Sequence, residues 1–355
     1  MRGWAGVARL GGVGDNLIAG SVMRPLKSLG YKTEMITSET AASVFLNNPF
    51  IDKLSVKKDG EIPGGEDWQR WFASRANEYE LFANLSNSCE TRHALHKGTT
   101  AFWWPQDYRR KMCAGSYLET AMDILGVPHE FGPLFFPTEA EVEQAIRTRD
   151  EQIGGRYMVW VLSGSRLDKI YPYASHAICR IIKELEIPAV MIGVGGKQFE
   201  MAKSIQTEVK RSNSTDKGLH LALSPDGADP GGHQHWSIRR SLTQALHADL
   251  VLTPDTGVAW ATAMESMPKV AMVSHASAEN ITKNWVNTIT LHADPVRVPC
   301  WPCHRLHDDP STCVAAKDIQ AAACMADISV ETVVSTIEKL WLKSKSNVRD
   351  FRAVA

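Results

Sequence analysis

The sequence predicts an α/β protein built on parallel sheets, in two successive halves. Strand, helix and strand alternate from the N-terminus, the alternation a parallel sheet needs for its crossover connections. The alternation restarts at Tyr157, after a charged segment over 139–150. The plainest unit lies later. An apolar strand over 250–252 runs into Pro254-Asp255-Thr256-Gly257, a small-residue helix follows over 258–264, Pro268 stops it, and 269–273 is the next strand.

Composition narrows the function classes. The chain has 355 residues, enough for two domains of ordinary size, with 44% apolar and 22% charged residues. A formal net charge of -1 gives no bulk attraction to nucleic acid, and none is expected as a partner. No apolar run reaches the roughly 20 residues of a membrane span. The N-terminus lacks the apolar core of a signal peptide and runs directly into Gly11-Gly12-Val13-Gly14-Asp15, so a reducing cytoplasm is the expected compartment. Of seven cysteines, Cys300, Cys303, Cys313 and Cys324 cluster near the C-terminus, a pattern that cytosolic proteins use for metal more often than for disulfides.

Taken in order, 4–10 reads as the first strand. The glycines at 11, 12 and 14 make a tight turn, and Asp15 stands where a helix begins, as its N-cap or with a freer role. The spacing is not the dinucleotide fingerprint, because the third glycine is missing. A second strand covers 31–36, a short helix 40–46, and Asn48-Pro49-Phe50-Ile51-Asp52 leads to a third strand. Residues 61–71 read as a polar, Gly-rich surface loop, and 81–85 as a strand. Arg92, His93, His96 and Lys97, followed by Phe102-Trp103-Trp104, form a basic and aromatic stretch: a hydrophobic lid with solvated charges, or the lining of an acceptor cleft. Residues 117–125 are an amphipathic helix.

The second half opens with a strand over 157–162 and the loop Ser163-Gly164-Ser165-Arg166-Leu167-Asp168-Lys169. Hydroxyls and a lysine at a strand-to-helix turn suit a diphosphate. Helices are expected over 176–185 and 236–246, strands over 189–192 and 220–223, and a Gly/Pro/Asp-rich loop over 224–235. Gly257 permits close approach of a ligand to the backbone. Thr256 can cap the next helix while offering its hydroxyl to a phosphate. An amphipathic helix over 328–342 precedes a polar tail.

Along nearly its whole length the chain resembles glycosyltransferase family 9, the ADP-heptose lipopolysaccharide heptosyltransferases. The resemblance rests on Gly14-Asp15-Asn16-Leu17, Arg24-Pro25-Leu26-Lys27, Asn48-Pro49-Phe50-Ile51-Asp52, Gly164-Ser165 with Lys169 and Tyr171-Pro172, and Asp255-Thr256-Gly257. It implies a GT-B architecture, two doubly wound Rossmann-like domains facing a cleft. Residues 1–150 would be the acceptor side, 151–335 the nucleotide-sugar side with a four-Cys segment at 300–324, and 336–355 the helix end and tail. It implies an inverting transfer of heptose or a similar hexose from a nucleotide-diphosphate donor, ADP-linked, to a glycan or protein acceptor, with no metal needed for the chemistry. Asp15 is then the general base. Lys169, with the Thr256 and Gly257 backbone, neutralises the leaving diphosphate. Ser163, Ser165, Glu200, Trp236, Asp255, Thr256 and Gly257 are the further nucleotide-sugar residues, with Asp255 orienting a hydroxyl or holding the loop. The cysteine cluster resembles the four-cysteine iron finger of autotransporter heptosyltransferases, so a structural zinc or iron is expected at Cys300, Cys303, Cys313 and Cys324. Peripheral membrane association and a homo-oligomer are further expectations. One departure stands out: Trp260 occupies the position of a histidine common in the family. It keeps a second class open, a GT-B-shaped binding or scaffold protein without turnover.

Overall fold

The structure, a computed structural model, describes residues 2–58, 60–62, 66–86, 88–95, 99–164, 166–193, 196–222, 236–306, 315–316 and 321–345. In the first half the apolar runs become β1 (Trp4–Arg9), β2 (Lys32–Ser38), β3 (Lys53–Lys57) and β4 (Leu81–Asn84), all parallel, in the order β3-β2-β1-β4. Parallel neighbours cannot be joined by a tight turn, so helices make the crossovers. They are α1 (Val13–Gly20) and α2 (Met23–Ser28) after β1, α3 (Glu39–Ala42) after β2, and α4 (Glu66–Ala76) after β3. Helix α4 corrects the expected loop over 61–71. Phe72 on it is buried against Ala8 and Ile36, and this packing outweighs the polar composition of the segment.

Four helices follow β4: α5 (Ser88–Thr91), α6 (Gln106–Met112), α7 (Tyr117–Leu125) and α8 (Glu139–Arg147). Helix α7 begins where Ser116 accepts a hydrogen bond from the Glu119 N–H at 3.4 Å and ends at Gly126, whose φ of 64° is the left-handed stop. Helix α8 starts with a reciprocal box between Thr138 and Glu141.

In the second half β5 (Met158–Val161), β6 (Ala189–Ile192), β7 (Leu219–Ala222), β8 (Leu250–Pro254), β9 (Lys269–Met272) and β10 (Thr288–Leu291) form one parallel sheet in the order β10-β9-β8-β5-β6-β7. Its inner strands are buried on both faces, which is why they read as unbroken apolar runs. The connecting helices are α9 (Ala174–Glu184), α10 (Gly196–Asn213), α11 (Ile238–Leu246), α12 (Gly257–Thr262) and α13 (Ala278–Ile281). Helices α14 (Ala323–Ala326) and α15 (Val330–Lys345) follow, and Val333, Val334 and Ile337 of α15 enter the core of the second sheet.

The strand orders position the sites. Each sheet has a switch point, between β1 and β4 in the first and between β5 and β8 in the second, where the connections depart to opposite sides. Ligand crevices of open parallel sheets form at the carboxyl ends of such strands. The two halves are packed together with these ends close, helix α1 lying against α12.

Candidate functional site

At the switch point of the second sheet, β8 delivers Asp255 and β5 delivers the loop from Ser163. Lys169 Nζ donates to Asp255 Oδ2 at 2.9 Å and to the Asp255 carbonyl at 2.6 Å. Trp260 Nε1 donates to the other carboxylate oxygen, Oδ1, at 2.8 Å. Burial alone would push the Asp255 carboxyl up. The Lys169 ammonium, the nearby His275 and the two donated hydrogen bonds hold it below its ordinary value instead. Lys169, expected to meet a diphosphate, therefore closes on Asp255 in this structure. The loop lies directly over the lysine stem, since a Cβ on Gly164 would come within 2.5 Å of Lys169 Cδ.

Thr256 is the N-cap of α12: its hydroxyl accepts from the Ala259 N–H at 3.4 Å and lies 3.0 Å from Thr253 Oγ1. Ser163 is buried, and its hydroxyl donates to the Gly164 carbonyl at 2.8 Å. Ser165 lies outside the described residues. Glu200 is exposed on α10. Trp236 precedes α11 rather than starting it. Ser237 caps that helix, and the Arg240 guanidinium lies 4.7 Å from the centre of the Trp236 ring.

The first sheet builds an ionic cluster at its own switch point. Arg9, the last residue of β1, is only 3% exposed. Its Nη2 lies 3.0 Å from Asp15 Oδ2 and 2.8 Å from Glu90 Oε1, and its Nη1 donates to the Leu85 carbonyl at 3.3 Å. Gly12 is the N-cap of α1 and Asp15 stands inside the first turn, which corrects the N-cap reading of Asp15. The Asp15 side chain is 43% exposed, whereas that of Glu90 is 9% exposed. Asn16 fixes the glycine turn by donating to the Gly11 and Gly12 carbonyls at 3.1 and 2.9 Å, and accepts from Thr37 at 2.7 Å. Beside this turn a cleft of about 380 Å³ opens between Gly11, Gly12, Ser38, Thr40, Lys57 and Lys58. The Asp15 carboxylate stands beside the glycine turn, 3.2 Å from where a Gly12 Cβ would be.

The two clusters approach across the boundary between the halves. A Cβ on Gly14 would lie 3.1 Å from Trp260 Cδ1 and 3.3 Å from the Thr256 carbonyl carbon. A Cβ on Gly257 would lie 2.6 Å from Val13 Cγ1. Glycine at both positions lets the two turns touch. Trp260 is 1% exposed, set edge-on to Trp285 at 5.1 Å and stacked on Tyr117 at 6.4 Å. The ring that replaces the expected histidine is thus wedged between the halves.

The sequence reading missed Arg9, Glu90 and the Asp168–His275 pair. His275 Nδ1 lies 3.0 Å from Asp168 Oδ2, Arg166 donates to Asp168 Oδ1 at 2.8 Å, and both residues of the pair are buried beside Lys169 and Asp255. A signal existed for Arg9, because a charge that ends an apolar strand needs a buried partner. No comparable signal marked His275, whose partner lies 107 positions away.

Of the four clustered cysteines, Cys303 and Cys324 are buried, Cys300 is half-buried, and Cys313 lies outside the described residues. Among the described residues no three His, Cys, Asp or Glu side chains group at metal-binding distance. Burial raises the Cys303 thiol, and the charges of Cys300 and Asp168 add to the rise. Among the described residues no helix is long and apolar enough to cross a membrane. His96 and Lys97 of the basic and aromatic stretch also fall outside them. Its Ala94 and Ala101, with Cys113 after α6, pack on Leu306 of the cysteine segment, so this stretch bridges the two halves.

Two doubly wound parallel sheets facing each other through their switch points define the GT-B class of fold. Solved structures bear this out. A glycosyl transferase family 9 structure from Veillonella parvula matches at a TM-score of 0.65, with 16% identity over 96% of this chain and 97% of that one. E. coli ADP-heptose lps heptosyltransferase II matches at 0.58, with 14% identity over 96% and 99%. The dodecameric iron-containing heptosyltransferase TibC of enterotoxigenic E. coli, in complex with ADP-D-beta-D-heptose, matches at 0.58, with 14% identity over 97% of this chain and 77% of that one. No protein-family model and no curated protein matches the chain.

Proposed function

We propose that the protein is an inverting glycosyltransferase that moves a heptose or similar hexose from an ADP-linked donor to a glycan or protein acceptor. The observation that carries this reading is the meeting of the two switch points. An accessible carboxylate, Asp15, stands beside the glycine turn that lines an open cleft in one half, and the Lys169–Asp255–Thr256 turn of the other half lies against the same helix start. In the proposed reaction the acceptor hydroxyl enters from the cleft and gives its proton to Asp15. Its oxygen bonds to the anomeric carbon as the bond from that carbon to the diphosphate oxygen breaks. Lys169 exchanges Asp255 for the departing diphosphate, while Trp260 keeps its hydrogen bond to Asp255. The ADP-linked donors in the names of two structures similar in fold support the choice of base.

We also propose a structural zinc or iron held by Cys300, Cys303, Cys313 and Cys324. The donor set is four soft thiols, of which Cys303 and Cys324 are buried and Cys300 is half-buried. The iron-containing neighbour in fold is in keeping with this. The metal would tie the cysteine segment down and take no part in the transfer.

Two observations favour the second reading, a binding or scaffold protein: Lys169 is already neutralised by Asp255, and Trp260 fills the space between the halves. A donor screen separates the two. ADP-, GDP- and UDP-sugars are incubated with the protein and released nucleotide is measured. The enzyme reading expects turnover with an ADP-sugar, and Asp15→Asn should slow it by about 10²- to 10⁴-fold with nucleotide binding retained. Binding without turnover by the native chain would leave the scaffold reading.

A further inference from the structure

We propose that Arg9 and Glu90 are positioning residues for Asp15: one guanidinium nitrogen is shared by two carboxylates, so the charge on Glu90 sets how firmly Arg9 holds Asp15 and how freely Asp15 takes a proton. The inference rests on the reading of Asp15 as the base. Arg9 cannot swing toward either acid, because β1 fixes its backbone, its side chain is 4% exposed, and Nη1 is tied to the Leu85 carbonyl. The same Nη2 then serves Asp15 Oδ2 at 3.0 Å and Glu90 Oε1 at 2.8 Å. Glu90 is held from α5, and its second oxygen, Oε2, is buried and has no hydrogen-bond partner among the described residues. One buried cation thus faces two acids, of which Asp15 is the more exposed.

The balance between the acids is set near neutral pH. Burial pushes Glu90 up to about 7 against the downward pull of Arg9, and the Asp15 charge adds to the rise. The other groups facing this pair are Arg305, which draws Glu90 down, the neighbouring Cys89 thiol, Tyr117 from α7, and Arg92, which acts on Cys89. Below neutral pH Glu90 is uncharged and the whole of Arg9 attends Asp15. Above it Glu90 competes for the shared Nη2, and the hold of Arg9 on Asp15 loosens.

The variant Glu90→Gln keeps the shape and removes the charge. Transfer is measured in the native protein and the variant from about pH 6 to about pH 8.5, the range in which Glu90 exchanges its proton. The native rate should rise with pH. The variant should lose that rise and run slower at the alkaline end, by less than the roughly 10²-fold that loss of the base itself costs, with KM for the donor unchanged. A variant that keeps both the rise and the rate overturns the proposal. Carboxyl-carbon NMR of the native chain, with the Asp15 resonance assigned by Asp15→Asn, needs neither turnover nor a stable Glu90 variant. It should show an inflection of the Asp15 signal near neutral pH, where Glu90 titrates. Absence of that inflection overturns the proposal even if no donor is ever turned over. Absence of turnover with the inflection present would count against the glycosyltransferase reading alone.

Discussion

Lys169 serves two partners that compete for it. In the structure it neutralises Asp255, both side chains being about 15% exposed, and in the proposed reaction it must release that carboxylate to a diphosphate. Lys169→Ala should therefore have two effects. Binding of nucleoside diphosphates should weaken more than binding of the matching nucleosides, since an ammonium acts on phosphate charge. Stability should fall by roughly 3 kcal/mol, because the variant takes the Lys169 cation away from a buried carboxylate. The second effect has a definite pH sign. Asp255 is held below its ordinary value, so the pair stabilises the fold above the ordinary carboxylate range, and that contribution is lost as pH falls through the folded value. The native-minus-variant difference in melting temperature should shrink on acidification. Equal losses of nucleotide and nucleoside affinity in calorimetric titration would instead mark Lys169 as a packing residue. Lys169, Asp255 and Thr256 were legible in the sequence because a polar turn after an apolar strand marks a ligand crevice. Their pairing was not, since contacts between positions 86 apart leave no local pattern.

At the scale of elements, legibility follows capping and burial. Helix α7 and strand β6 have the bounds read from the sequence, the first set by Ser116 and Gly126, the second by a run buried at every position. Helix α4 escaped notice because its apolar residues meet the sheet only after folding. Helix α12 is shorter than the expected 258–264, ending at Thr262, and Lys269 closes this turn by donating to the Glu265 and Met267 carbonyls at 2.6 and 3.0 Å. The cysteine segment carries the prediction at this scale. With the proposed metal in place, protein purified without chelators should hold about one equivalent of zinc or iron, as a four-thiolate site requires. Cys303→Ser should lower metal content and melting temperature together, with activity declining only as the fold loosens. Elemental analysis that finds no metal in the native chain would leave four thiols and no site.

For the whole molecule, the relation between the halves was the part least legible in the sequence, and much of it is secured by one side chain. Arg239 on α11, 7% exposed, makes paired contacts with the Glu141 carboxylate and donates to the carbonyls of Ser43, Leu46 and Phe136 at 2.9, 3.0 and 2.9 Å. On the other side Asn280 donates to the Cys113 and Gly115 carbonyls at 2.7 and 2.8 Å, and Asn284 to Glu119 at 2.9 Å. Arg239→Ala removes the cation and leaves Glu141 and three carbonyls without it, a loss on the order of 3 kcal/mol concentrated at the boundary. The halves should then separate before they unfold. Calorimetry should resolve two transitions where the native chain shows one, and X-ray scattering should report a larger radius of gyration. A single transition at lower temperature, with an unchanged radius, would mean that the remaining contacts suffice to hold the halves together.

The contact between Gly14 and Gly257 has a consequence for how such a chain can vary. The turn of each half occupies the space that a side chain on the other would need, Val13 standing 2.6 Å from the place of a Gly257 Cβ. Residues 14 and 257 are thus one steric locus written twice, far apart in the gene and adjacent in the molecule. A larger residue at either position is admissible only with a compensating retreat at the other. A chimera that takes one half from a related chain must inherit both turns as a matched pair.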